Sequence, residues 1–326
     1  MKHVKTSAIL AGLTAAALSA TAWAQEPVKI RLGDPAQSLN AIAAQTMIKQ
    51  GFDRKHGIAV QYVTYPTLDG LFTAIRGKDV EIGFGGWTAF AQFRSKGAPI
   101  TMIFPVGRGV SLDVLVPVNS PAKSLADLKG KRIGSYAGAA GTATVLLRVV
   151  TTKFFGYDPG KTDHLQYAGA TLLPELLEKG SLDAILLFDP IAVRALASGK
   201  FRIVANLPAI YKEKIGADFL WIGYATNDDV IAKHPEALKA FNRAWVESVA
   251  YVKAHPEVFE PVAKALGLDA AGAKLLRERV TADYVLEWTE KDIAALRKFR
   301  DLANEVMGAG FLDELPAAAF TTRFNP

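Results

Sequence analysis

Val28, Ile30 and Leu32 alternate with polar residues, the period of a strand with one buried face, and the run stops at Gly33-Asp34-Pro35. A helix is predicted over 41–50, and Ile58, Val60 and Tyr62 alternate again. Leu68, Leu71, Phe72 and Ile75 then fall at i, i+3, i+4 and i+7, one apolar stripe of a helix that Gly77 closes. Residues 80–84 read as a buried strand, a further helix ends near Gly97, and 100–104 make the next strand. Strands alternating with helices predict a mainly parallel sheet.

The same rhythm comes twice. Leu172, Leu173, Leu176 and Leu177, then Gly180, Asp183 and a strand over 184–188, repeat the order of Leu71, Phe72, Ile75, Gly77, Asp79 and 80–84. A helix through Ala195, then Gly199 and a strand over 202–204, follow as Gly97 and 100–104 do earlier. Ile133-Gly134-Ser135 echoes residues 30–34. Two α/β units of similar size predict two lobes facing one another. Residues 112–118 are long for a strand, carry Pro117 and read as a crossover between lobes. A second crossover is expected at 219–224, and after Asn227 the chain reads as helical to its end, with Ile293, Leu296, Phe299, Ala303 and Val306 as its clearest stripe. The expected division is lobe 1 over 25–113 plus 225–326 and lobe 2 over 114–224.

Composition narrows the function. Lys2, His3 and Lys5, an apolar run over 8–20 and Ala22-Trp23-Ala24 have the form of an export signal (1–24) cleaved after Ala24, leaving Gln25 first. The run is shorter than the roughly 20 residues of a spanning helix. With no cysteine, disulfides, thiolate zinc sites, cysteine nucleophiles and a lipid-attachment cysteine are all excluded. Such a chain is expected free in the periplasm. The formal charge of +6 falls to +4 without the two lysines of the signal, and no basic block exists to bind nucleic acid. His234 and His255 each precede Pro and Glu at a helix start, and no H-x-x-x-H pair suggests a metal.

Several segments resemble the nitrate/sulfonate/taurine-type family of ABC-transporter substrate-binding proteins, which shares its fold with bacterial binding proteins for thiamine precursors. They are Gln50 to Ile58 with its G-F-x-x-x-x-G form, GKDVEIG over 77–83, SLADLKGKRIG over 124–134, and GSLDAI followed by Phe188-Asp189-Pro190. The similarity spans residues 28 to about 311. It implies a type II periplasmic binding protein with the ligand cleft between the lobes, no enzymatic activity, no cofactor, and an ABC permease as partner of a monomer. Ser124 and Asp127 form a capping box, so the best-matching segment has a structural explanation.

Ligands of open α/β sheets sit beyond the carboxyl ends of the strands. That rule selects Asp34, Gln37 and Ser38 after the first strand, then Gly85, Gly86, Trp87 and Thr88, then Gly107, Arg108 and Gly109. On the second unit it selects 135–144 and Phe188-Asp189-Pro190. The segment with Tyr136, Ala139, Gly141 and Thr142 is small, glycine-bearing and opens a helix, so its free N–H groups suit an anion; close helix–strand packing explains the same residues. Gly86 makes a similar helix start on the first unit. Trp87 is a flat wall for a ligand or a core residue. Arg108 is a bidentate partner for a carboxylate or sulfonate, or a solvated loop residue. Asp189 caps the helix at Pro190, pairs with Arg194 or receives a ligand amine, with capping foremost. The expected ligand is a small organic sulfonate or carboxylate. A pyrimidine-like heterocycle held by Trp87 and Asp189 is the alternative, and a thiamine-pyrimidine-synthase-like enzyme, cysteine-bearing and intracellular, is the reading from a different class.

Overall fold

The structure, a computed structural model, describes residues 26–35, 38–308 and 310–326. The export signal and Gln37 lie outside the described residues. In the first unit come β1 (Val28–Pro35), α1 (Ala41–Lys49), α2 (Phe52–Lys55), β2 (Ile58–Tyr65), α3 (Leu68–Gly77), β3 (Ile82–Gly86), α4 (Trp87–Ser95) and β4 (Ile100–Gly107). The second holds β5 (Asp113–Pro117), β6 (Ile133–Ser135), α5 (Thr142–Phe155), β7 (Leu165–Tyr167), α6 (Leu173–Glu178), β8 (Ala184–Leu187), α7 (Ile191–Ala197), β9 (Phe201–Asn206) and α8 (Leu207–Ile215). The chain returns through β10 (Ile222–Asn227) to α9 (Asp228–Lys233), α10 (Pro235–Ala254), α11 (Glu260–Ala265), α12 (Ala270–Asp283) and α13 (Glu290–Met307).

Two five-stranded sheets result, ordered β2-β1-β3-β10-β4 and β7-β6-β8-β5-β9. In each, the first three strands run parallel and the fourth antiparallel to both its neighbours. That fourth strand, β10 or β5, is the one arriving from the other lobe. The sheet changes between Gly107 and Asp113 and again between Ile215 and Ile222, a few residues from the 113/114 and 224/225 positions read from the sequence. The second crossover thus lies earlier than 219–224 and ends before Ile222, because Ile222 to Tyr224 already pair with β3.

The repetition reaches individual side chains. Arg31 donates from Nη2 to the Lys78 carbonyl (3.0 Å) and from its backbone N–H to Glu81 (2.7 Å). Arg132 does the same to the Gly180 carbonyl (2.8 Å) and Asp183 (2.8 Å). Two residues after each arginine stands a glycine with no room for a side chain: a Cβ on Gly33 would lie 2.6 Å from Leu71, and one on Gly134 2.5 Å from Leu182. By this alignment the next residues, Asp34 and Ser135, occupy equivalent strand ends.

Local expectations meet two adjustments. Ser124 and Asp127 do form the capping box, on a single turn over Leu125–Leu128. Gly77 is the last residue of α3, and the left-handed position after it is taken by Lys78 (φ 64°). The chain is not helical to its end: among the described residues after α13 only one further turn, Ala317–Ala319, is helical. Helix α13 turns Ile293, Leu296, Phe299, Ala303 and Val306 inward, as their spacing requires.

Candidate ligand-binding site

Helices α4 and α5 start toward each other from different lobes. Their N-caps are Gly86 and Gly141, both extended and neither able to cap with a side chain. The Thr88 and Thr142 hydroxyls meet at 2.7 Å, Thr88 Oγ1 donates to the Ala140 carbonyl (3.1 Å), and the Thr88 N–H points to Thr142 Oγ1 (3.4 Å). A Cβ on Gly86 would fall 2.5 Å from Thr142 Oγ1, so glycine is required for this approach. First-turn N–H groups and two hydroxyls from two lobes converge on one spot, which carries positive potential from both helix dipoles.

Other predicted residues are placed differently. Trp87 is fully buried, with its ring edge-on to Phe299 (5.7 Å) and Phe320 (6.0 Å). It is a core residue, because the first turn of α4 packs its indole under α13, and not a wall of the cleft. Ala139 is exposed at the tip of the turn closed by the Gly141 N–H and the Gly138 carbonyl. Arg108 is half-buried, its guanidinium 3.9 Å from Asp218, which also meets Lys212 at 2.8 Å. Asp189 neither caps α7 nor pairs with Arg194. It is buried and accepts from Arg279 Nε at 2.7 Å. Tyr136 is half-buried against Phe188 (4.6 Å between centroids), and Phe188 leans on Trp221 of the second crossover (6.1 Å). Ser38 is buried near Asp34, with Oγ 3.5 Å from Oδ1.

Residues absent from the sequence-based selection organise the space between the sheets. Arg279 and Asp283 stand one turn apart on α12 and so share a face. Arg279 bonds Asp113 at the start of β5 as well as Asp189, so this helix grips two carboxyls of the other lobe. Asp283 accepts from the Val110 N–H (2.7 Å) in the first crossover and from Trp221 Nε1 (3.4 Å) in the second. Burial pushes Asp283 up to about 7, against these hydrogen bonds. Burial also pushes Asp189 up to about 6, with Arg279 pulling it back. Sequence offered no signal for Arg279 and Asp283: they lie in a helix of ordinary polar composition, and Asp283 is 173 residues from Val110 in the first crossover and 62 from Trp221 in the second.

On the first sheet Asp34 is fully buried, and Tyr224 donates to its Oδ2 at 3.1 Å. Tyr62, Ser38 and Asn40 also surround the carboxyl, yet burial outweighs them and raises it to about 8. Among the described residues no Lys, Arg or His pairs with Asp34 or Asp283, and no cluster of three His, Asp or Glu side chains is placed to hold a metal ion. The described helices include none long and apolar enough to cross a membrane.

Comparison with known proteins agrees with this architecture. The alkanesulfonate-binding protein SsuA of Xanthomonas axonopodis pv. citri, solved bound to MOPS, superposes with a TM-score of 0.74 at 20% identity, covering 91% of this chain and 99% of that one. The periplasmic aliphatic sulphonate binding protein SsuA of Escherichia coli gives 0.69 at 18% identity, over 86% and 87% of the two chains. A Candida albicans protein described as having the generic periplasmic binding protein fold gives 0.67 at 15% identity, over 90% and 96%. The fold is therefore the two-lobed α/β architecture of periplasmic binding proteins. An Escherichia coli (strain K12) protein named for binding aliphatic sulfonates is 25% identical over 199 residues, which are 60% of this chain and 60% of that protein's length. The family described as NMT1/THI5 like matches residues 37–258, more than half of the chain, and the protein belongs to that family.

Proposed function

We propose that this protein is a periplasmic solute receptor that binds a small organic sulfonate or carboxylate between its lobes and delivers it to an ABC importer. The observation that carries this reading is the meeting of the Gly86–Thr88 and Gly141–Thr142 helix starts. Each brings a threonine hydroxyl and the positive end of a helix dipole to the same spot, and an anion that takes the place of the Thr88–Thr142 contact would gain hydrogen bonds from both lobes at once. Such a ligand favours closure because it touches both halves only when they are shut. The relatives named for sulfonate binding support the anion class. The heterocycle alternative loses its two supports, since Trp87 is core and Asp189 is held by Arg279.

The receptor acts as a monomer without turnover, free in the periplasm after removal of residues 1–24. Isothermal titration with a panel of alkanesulfonates and short carboxylates, with the mixtures then analysed by mass spectrometry, tests it. Saturable one-to-one binding with the solute recovered unchanged is expected. A chemically altered solute in excess over protein, or binding confined to uncharged heterocycles, would overturn it. N-terminal sequencing of the exported protein should find Gln25.

A further inference from the structure

Asn40 is the N-cap of α1, a position where asparagine ordinarily accepts from a first-turn N–H. Here its side chain makes no cap. It is fully buried, and neither Nδ2 nor Oδ1 has a hydrogen-bond partner among the described residues. Buried amides left unpaired are rare because desolvation penalises both ends of the dipole. The Tyr62 hydroxyl close by is unpaired as well, although Tyr62 is only half-buried. Both surround Asp34, a buried carboxyl with no cationic partner among the described residues.

The place of this cluster in the fold points to a ligand. Asp34 and Asn40 flank the carboxyl end of β1, where the chain leaves the sheet for α1, the position at which open sheets bind ligands. Tyr284, whose hydroxyl donates to the Leu39 carbonyl beside Asn40 (2.9 Å), adjoins Asp283, and Asp283 fastens both crossovers. The cluster therefore sits beside the hinge, on the first lobe's side of the cleft. An amide side chain with donor and acceptor both unmet pairs best with a second amide edge, one N–H and one C=O side by side. A hydroxyl and a carboxyl next to it add a donor and an acceptor.

Resting on the receptor reading above, we propose that Asp34, Asn40 and Tyr62 form a subsite for the uncharged end of the ligand, which carries a primary carboxamide or urea edge. The receptor then selects an organic anion with an amide-type group and rejects the plain alkyl analogue, because the analogue leaves Asn40 unpaired.

The test uses two probes of equal shape, succinamate and levulinate, which differ in an amide NH2 against a methyl group. The isotope-labelled full chain is titrated with each, and both the backbone N–H signals of Thr88 and Thr142 and the side-chain amide signals of Asn40 are followed by NMR. Succinamate should move both sets and bind roughly 10- to 100-fold more tightly than levulinate. In Asn40→Leu that preference should vanish while levulinate affinity stays. Equal affinity for the two probes, or movement at Thr88 and Thr142 without movement at Asn40, overturns the subsite and leaves the anion reading standing. Movement at Asn40 alone supports the subsite and removes the anion site. No movement at either place counts against both.

Discussion

The two lobes share one frame and differ at its most sensitive point. In both, an arginine clasps the turn between a helix and a buried strand, a side-chain-free glycine follows, and the next residue stands at the strand's end or one position before it. In the second lobe that residue is Ser135, whose hydroxyl lies 2.6 Å from Thr144 Oγ1, which in turn donates to the Ala137 carbonyl. The serine is satisfied within its own lobe. In the first lobe the residue is Asp34, a buried carboxyl among neutral groups, beside an unpaired asparagine. A duplicated scaffold thus ends in a finished structural contact on one side and an unfinished polar cluster on the other. A further contrast concerns charge: Asp113 and Asp189 of the second lobe have Arg279 between them, whereas Asp34 and Asp283 have no cation among the described residues. The paired carboxyls hold the lobes together. Of the two without a cation, Asp283 fastens the crossovers by hydrogen bonds alone, and Asp34 is held by the Tyr224 and Ser38 hydroxyls.

This comparison breaks most visibly at Arg279. Arg279→Met strips the cation from two buried carboxylates and should destabilise the protein by about 3–5 kcal/mol. For a chain of this size that is a melting-temperature loss of roughly 5 to 15 °C, read by calorimetry. Adding Asp113→Asn and Asp189→Asn should restore part of it. A melting temperature within 2 °C of the parent, by contrast, would make the clasp a surface-like pair.

Thr142→Val probes the helix starts. It keeps the volume but removes the hydroxyl facing Thr88, so affinity for an anionic solute should fall roughly 10- to 150-fold. The ligand-free melting temperature should change little, since Thr88 keeps the Ala140 carbonyl. Unchanged affinity in the titration would place the anion elsewhere.

The Asp34 contrast has a pH signature. Its folded value of about 8 lies above the ordinary carboxyl value, so the native state holds a proton that the unfolded state has already released. The stabilisation is complete below about pH 4 and is lost as pH rises toward 8. Asp34→Asn abolishes this slope, so its melting temperature should exceed that of the parent by more at pH 8.5 than at pH 5, in line with a linkage difference of about 4 kcal/mol between the two pH values. Parallel curves for the two proteins would show that Asp34 is ionised and paired in the native state.

The equivalent clasps should be equivalent in energy. Glu81→Gln and Asp183→Asn each weaken a partly exposed ion pair and should lower stability by under about 1 kcal/mol. A much larger loss at one of them in chemical denaturation would mean that the lobes differ in their frames as well.

The frame itself was legible in the sequence, because periodicity, glycine stops and the doubled order are local properties. Val28, Ile30 and Leu32 could only be a half-buried strand, and the i, i+3, i+4, i+7 stripe at Leu68 to Ile75 only a helix. The strand-end rule then selected Asp34, Ser38, Gly86, Thr88 and Thr142 without knowledge of their partners. Which side of a helix start faces the cleft is decided by packing. Trp87 and Thr88 are neighbours in sequence, yet successive helical residues point about 100° apart, so one enters the core under Phe299 and the other meets Thr142. Asp189 shows the same limit: its pairing with Arg279 spans 90 residues, and no local pattern encodes a contact at that separation. Sequence by itself determined two similar α/β units joined by crossovers, since each unit's hydrophobic pattern is written along a short stretch of chain. Only the tertiary structure decided which buried carboxyls meet a cation and which are held by hydrogen bonds alone, because desolvation and charge pairing depend on what the other lobe and α12 bring to the same few ångströms.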